Sequence, residues 1–377
     1  MHERREALDY GRNRVETTAD RTILNLDRVR LQAKAALPTD IFDYLDGGAG
    51  REVTQGRNEQ DLDAISLRPL TMKDVSRVGL STSILGVPLP VPIGISPTAL
   101  HRLVHPDGEV ATAMAANTLQ IPLTISAMSS VAIEEVAQKS GNTNLWFQTY
   151  LYKDPTVARE LTSRAGDAGC KAIVLSVGCP TMGYRDRNLA NEFRLPQNVT
   201  AAHFDRAAKI DHNNPIASFA KAEIDPAATW QDVAEFCKSS SLPVLVKGIM
   251  NAADVEPALD AGVSGIIVSN HGGRQLDTTE SSIRILPDVS DRLQARAPLI
   301  VDSGFRRGTD VLKALAFGAD AVFLGRPALW ALAVGGAQGV VDAIERLTSE
   351  LRVAMQLAGC ASIDDLRDNR FTLIDRK

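Results

Sequence analysis

Ile266-Ile267-Val268-Ser269-Asn270-His271-Gly272-Gly273-Arg274-Gln275-Leu276-Asp277 is the stretch that decides how this chain folds. Three β-branched residues follow Gly265 and run into Asn-His-Gly-Gly, which spells a short buried strand ending in a tight turn. The turn carries a histidine and an arginine. A buried strand that delivers a proton acceptor and a cation into a glycine-rich loop is how an α/β barrel presents chemistry, because its functional groups sit at the carboxyl ends of the strands. A histidine that titrates near neutrality beside a planar cationic fork points to an anionic substrate that can be oxidised or enolised. The alternative is a pair that only caps the loop.

Seven further runs share this character, at 91–96, 121–126, 145–150, 172–177, 243–248, 298–303 and 321–326, with the quoted run occupying 265–270. Their starts recur every 22 to 33 residues, apart from one interval of 71. That is the spacing of strand–helix units with parallel strands. Helical patterns lie between them at 131–139, 155–168, 230–238, 252–261 and 310–317. Eight such units predict an α/β fold of the (β/α)8 TIM-barrel type.

A pattern at 24–36 ending before Pro38, and a short one at 41–45 before Gly47-Gly48, predict an N-terminal helical extension. The long interval predicts a loop after strand 4, about 183–229 with Asn213-Asn214-Pro215, lying over the active face. A helix at 340–357 should pack outside the barrel. Residues 1–23 read as a charged arm, and 24–377 as one domain.

The 377 residues are 44% hydrophobic and 23% charged, as in ordinary globular proteins. A net charge of -5 without a basic segment argues against a nucleic-acid partner. No apolar run approaches the roughly 18 residues of a membrane span. Cys170, Cys179, Cys237 and Cys360 lack metal-ligand spacing, so no metal is expected and the thiols read as reduced. With no apolar leader and no C-terminal Ser-Lys-Leu, the expected location is the cytoplasm.

The loops after strands 7 and 8 read Asp302-Ser303-Gly304-Phe305-Arg306-Arg307-Gly308 and Gly325-Arg326. Glycines admit backbone N–H groups to phosphate oxygens and arginine supplies a bidentate charge, so this pair predicts a phosphate-bearing ligand. Lys247 ends strand 5, where it can pair a substrate anion or negative charge on a cofactor, a salt bridge being the bland alternative. Gln148 and Tyr150 share one face near the end of strand 3 and can bond a planar heteroaromatic ring and a substrate oxygen.

Ser269 through Asp277 resembles the signature of the FMN-dependent 2-hydroxy acid oxidases and dehydrogenases, the group of glycolate oxidase and lactate and mandelate dehydrogenase. The likeness continues through Leu37-Pro38, Phe42-Asp43-Tyr44, Ser96-Pro97-Thr98-Ala99, Phe147-Gln148-Thr149-Tyr150, Leu245-Val246-Lys247-Gly248 and Arg306-Arg307-Gly308-Thr309-Asp310-Val311. It spans about residues 24–365 in order.

The resemblance implies FMN as cofactor and His271 as the base that takes the proton during oxidation of the substrate's α-carbon. It places the substrate carboxylate on Arg185, Arg274 and Tyr44, the substrate oxygen on Tyr150, and the anionic reduced flavin beside Lys247. Pro97, Thr98, Ala99, Ser126, Gln148 and Ser176 would contact the isoalloxazine and ribityl parts. Ser269, Asp302, Gly304, Arg306, Gly325 and Arg326 would hold ribityl and phosphate. A 2-hydroxy acid and oxygen, or another electron acceptor, are the implied partners, in a homotetramer or octamer.

One position departs from the resemblance. After strand 4 the group has an aspartate that pairs with the catalytic histidine, whereas Leu175-Ser176-Val177-Gly178-Cys179-Pro180 puts glycine there. Three outcomes are open: slower or altered chemistry, a substrate that brings its own polar group, or replacement by another acid such as Asp186. Oxidative decarboxylation of an unusual substrate, or a flavin-binding subunit without turnover, are the corresponding alternative functions. Gly178→Asp is expected to raise reactivity toward mandelate. Ala127-Met128-Ser129-Ser130-Val131 is similar to the 4-hydroxymandelate oxidases, and a thioether at Met128 leaves room for a bulky or aromatic side chain.

Overall fold

Successive side chains along a strand face opposite ways, and each strand of this chain uses that alternation to serve two apolar layers. The computed structural model describes residues 25–141, 143–204 and 222–367, and the backbone of 372–375. The arm at 1–23 and Asn213-Asn214-Pro215 lie outside the described residues. Eight parallel strands are β1 (Ile93–Ile95), β2 (Leu123–Ser126), β3 (Leu145–Thr149), β4 (Ala172–Ser176), β5 (Val244–Ile249), β6 (Gly265–Val268), β7 (Leu299–Val301) and β8 (Ala321–Leu324). They pair in sequence order, and β8 pairs with β1 to close a (β/α)8 TIM barrel. The first strand is shorter than expected because Pro90 and Pro92 have no N–H for the ladder.

Outward residues such as Phe147, Ile173, Val246 and Val268 join the large core shared with the surrounding helices. Inward residues Trp146, Val174, Leu245, Ile267, Ile300 and Phe323 form a separate cluster inside the barrel. Ile84 and Leu89, from an antiparallel hairpin of Thr82–Ile84 and Val87–Leu89, belong to that inner cluster and plug the amino-terminal end of the barrel. Gly94 leaves the space that the Phe323 ring fills, since a Cβ there would collide with it.

Helices Ile133–Ser140, Pro155–Asp167, Trp230–Ser239, Val255–Asp260 and Gly308–Ala316 match the expected ones. Three others were not singled out in sequence. Glu109–Leu119 is alanine-rich and only weakly amphipathic, Ser282–Leu293 contains Pro287, and Val53–Ala64 buries only Thr54, Asn58 and Leu62. The expected helix at 340–357 is the second part of a longer one, Arg326–Ala358, broken at Gly335 and Gly336. By length and composition this helix could cross a membrane, but its Leu329, Trp330, Leu332 and Leu351 are buried within the fold.

The N-terminal extension is two helices, Leu26–Ala36 and Thr39–Asp46, joined by Arg30, whose Nε and Nη2 donate to the buried Asp46 carboxylate at 2.8 and 2.7 Å. The chain then crosses the barrel mouth: Ala49 N–H donates to Gly273 O and Gly50 N–H to Tyr184 O, both at 2.8 Å. Asp277 accepts from the backbone N–H groups of Arg51 and Thr54, at 3.0 and 2.9 Å, and so caps Val53–Ala64. The described part of the loop after β4 holds a short helix, Asp186–Ala190, whose Asp186 is exposed.

Gly94→Ala should destabilise the protein by about 1–3 kcal/mol, because the added methyl overpacks a fully buried ring. Urea unfolding of the purified protein checks this, and an unchanged midpoint would mean that the barrel interior has slack.

Candidate active site

Two residues beyond each residue that faces the barrel interior, the next inward position falls at the carboxyl end of the strand. In this chain those positions hold Ser96, Ser126, Gln148, Ser176, Lys247, Ser269, Asp302 and Gly325. All except Ser269 line a cavity of about 1170 Å³, its open mouth included. They are wired together before any ligand binds. Ser126 Oγ donates to Gln148 Oε1 and Gln148 Nε2 to Ser176 Oγ, each at 3.1 Å. Lys247 Nζ donates to Ser269 Oγ at 2.8 Å and lies 3.0 Å from Asp302 Oδ2, which also accepts from Ser96 Oγ. Ser269, expected on the cofactor, is turned beneath the loop, where it also accepts from His271 N–H at 3.1 Å.

Pro97, Thr98 and Ala99 form another wall, and Gly304, Arg306, Gly325 and Arg326 close one edge. The Arg306 guanidinium lies 4.9 Å from the Trp330 ring centroid and its Nη2 donates to Glu59 at 2.8 Å. Arg326 Nη2 donates to Gly47 O, Gln55 Oε1 and Gly272 O at 3.2, 3.0 and 2.7 Å. Two buried guanidinium groups beside two glycines suit a phosphate. The amide, hydroxyls and ammonium of the ring suit the polar edge of a flat heteroaromatic group. The donor set therefore fits FMN.

His271 also lines the cavity, in a left-handed backbone conformation, φ 57°. Such a conformation is costly for a residue with a Cβ and persists only where its surroundings hold it. Here Asn270 Oδ1 accepts from Gly273 N–H at 3.0 Å, and the Asn270 and Asn58 amides bond each other at 3.0 and 2.6 Å. Gln275 ties this loop to the loop after β4: its Nε2 donates to Thr181 O at 2.7 Å and its Oε1 accepts from Gly183 N–H at 3.1 Å.

Burial, reinforced by Lys247, Arg185, Arg274 and Arg326, holds the His271 imidazole well below its ordinary pKa. The cations are not equally free. Arg274 Nη1 donates to Leu45 O and Gly47 O, and its Nη2 to Tyr44 O, at 3.1, 2.6 and 2.8 Å. Arg185 is buried with its Nε left without a hydrogen-bond partner. An orphaned guanidinium nitrogen at a cavity wall calls for an anion. Tyr44 stacks on Phe193 at 4.4 Å and sits 5.6 Å below the Arg274 guanidinium, while Tyr150, its phenol pKa raised by burial, and Met128 complete this side.

Every residue that the sequence resemblance assigned to cofactor, substrate or catalysis lines this one cavity except Ser269, which lies behind Lys247 and His271 and bonds to both. Asp186 does not take the place of the missing carboxylate: it is exposed, and the side chain on His271 Nδ1 is Cys179, with Sγ at 3.3 Å. Gly178 packs back to back with Gly248, so that a Cβ would come 3.0 Å from Gly248 Cα. A side chain at 178 therefore requires the Gly248 backbone to give by a few tenths of an ångström, and the effect of Gly178→Asp on reactivity depends on that movement. The sequence reading also missed Met182 and Ile224 as lining residues. Their positions in an irregular loop carry no period that could have placed them.

A sequence profile described as FMN-dependent dehydrogenase matches residues 33–373. The 2-hydroxyacid oxidase of Dictyostelium discoideum is 39% identical over 348 residues, covering 92% of this chain and 90% of that protein. Glycolate oxidase 2 of Oryza sativa subsp. indica is 43% identical over 338 residues, covering 89% of this chain and 92% of that protein. Among solved structures, mandelate oxidase with (S)-4-hydroxymandelic acid superposes with a TM-score of 0.88 at 40% identity, covering 93% of this chain and 99% of that one. With the cavity fitted to a flavin and the match running almost end to end, the chain belongs to the FMN-dependent dehydrogenase family and is an FMN-dependent enzyme of 2-hydroxy acid oxidation.

Proposed function

We propose that this enzyme oxidises a bulky, aryl-bearing 2-hydroxy acid to the 2-oxo acid, with His271 as base and oxygen as the final electron acceptor. The observation that carries the reading is one cavity in which a neutral, buried imidazole faces an arginine with an unused buried nitrogen. Arg185 takes the substrate carboxylate, with Arg274 and Tyr44 behind it. Pinning that group orients the α-carbon toward the cofactor floor. His271 accepts the hydroxyl proton at Nε2, the nitrogen that Cys179 does not engage. FMN, when bound, would supply the acceptor for the α-hydrogen together with its two bonding electrons. Lys247, on the floor, supplies positive charge where the cofactor gains negative charge, and Tyr150 donates to the substrate oxygen.

Met128, Met182, Ile224 and Tyr150 give the remaining wall an apolar and partly flexible surface, which supports a large side chain over a hydrogen. Similarity to a 2-hydroxyacid oxidase and a glycolate oxidase supports oxygen as acceptor.

Mandelate or 4-hydroxymandelate added without air should bleach the oxidised-flavin band of the purified holoenzyme faster than glycolate does. A band that persists with every 2-hydroxy acid would instead favour a flavin-binding subunit without turnover. His271→Gln should slow flavin reduction by about 10²–10⁴-fold while the bound-flavin spectrum stays intact. A variant as fast as the parent would remove His271 from the proton transfer. Because the imidazole is held below its ordinary pKa, its basic form persists as pH falls. The acid limb of kcat/KM should therefore lie below the usual histidine range, and a limb within or above it would contradict this assignment.

A further inference from the structure

We propose that Cys179 is the positioning residue of His271, a neutral thiol that orients the imidazole from its Nδ1 side in place of a carboxylate. This rests on the reading of His271 as the base. Cys179 Sγ lies 3.3 Å from His271 Nδ1, and among the described residues no carboxylate reaches that nitrogen. The contact is built into the fold from two directions. Gln275, four residues beyond the histidine, bonds Thr181 and Gly183 on the loop that carries Cys179. Gly183 presses so closely on the backbone of Arg274 and Gln275 that a Cβ there would collide with both carbonyl oxygens. The two loops are locked in register, and sulfur and ring move together.

The base function then sets the proton inventory. Nε2 takes the substrate proton only if its lone pair is free, so the resting proton sits on Nδ1 and points at Sγ. Burial pushes the Cys179 thiol up to about 11, so the partner is uncharged at neutral pH. A thiol accepts this bond weakly. It selects the tautomer and the ring angle and adds no counter-charge to the imidazolium formed in the reaction. The charged groups that face the ring are Lys247 from β5, Arg185 from the loop after β4, Arg274 from its own loop and Arg326 from the end of β8. All are cationic, and Asp302, the nearby acid, is paired with Lys247.

The test compares Cys179→Ala, Cys179→Ser and Cys179→Asp holoenzymes, labelled with ¹⁵N-histidine and assigned by loss of the His271 signal in His271→Gln. In the parent, His271 should show the Nδ1–H tautomer near neutral pH. Cys179→Ala should shift the ring toward Nε2–H and lower kcat about tenfold or more with little change in KM. Cys179→Ser, whose hydroxyl accepts the same bond, should restore the tautomer and part of the rate. Cys179→Asp should move the acid limb of kcat/KM to higher pH, because a carboxylate favours the imidazolium.

A parent tautomer of Nε2–H, or a Cys179→Ala protein with unchanged tautomer, pH profile and flavin-reduction rate, would overturn the proposal. If the ring responds to Cys179 as stated but the parent flavin is reduced by no 2-hydroxy acid, the positioning role stands and the assignment of His271 as base falls.

Discussion

The constraint on which this structure depends is the two-residue repeat of a strand inside a closed barrel. Trp146, Val174, Leu245, Ile267, Ile300 and Phe323 face inward and pack together, so the residue two places on must face inward as well. By then the strand has reached the rim. The same geometry that buries Leu245 thus presents Lys247, and the one that buries Ile300 presents Asp302. A slip of one residue in any strand would turn its apolar residue into the helix layer and its polar residue away from the cavity. Stability and site composition are one choice of register.

Above the rim, the arrangement is held by backbone more than by side-chain packing. The last turn of Thr39–Asp46 and the residue after it lay the carbonyls of Tyr44, Leu45 and Gly47 across the mouth, where they take up Arg274 and part of Arg326. Carbonyl dipoles satisfy buried guanidinium groups without neutralising them. The cavity therefore stays cationic, with Arg185 carrying an unused nitrogen. That positive charge has two effects: it invites a phosphate and a carboxylate, and it reinforces the burial that keeps the imidazole of His271 unprotonated.

The β4–β5 junction shows how a small change at such a rim redistributes roles. Gly178 lies against Gly248, at a point where β5 carries an irregularity between Lys247 and Ile249. Close backbone approach at this junction leaves little room for a side chain at 178. The next residue, Cys179, then occupies the flank of His271.

Much of this was legible in one dimension, for identifiable reasons. Eight apolar runs at strand–helix spacing determine the barrel, because strand burial and chain reach are local properties. The polar residue that ends each run was readable for the same cause, and so were the glycine-rich turns of His271 and Gly304. Helix Glu109–Leu119 was not, since an alanine-rich face blurs the helical period, and Ser282–Leu293 was passed over although Ile283, Leu286, Val289 and Leu293 recur at helical spacing around its internal proline. What only the tertiary structure decided is which groups meet at the mouth. The sulfur on His271 Nδ1 comes from 92 residues earlier and the carbonyl on Arg274 from 227 residues earlier, separations that no local period spans. In sequence Asp186 was the candidate partner for the histidine and Cys179 was not singled out; the path of the loop after β4 leaves Asp186 exposed and brings the thiol to the ring.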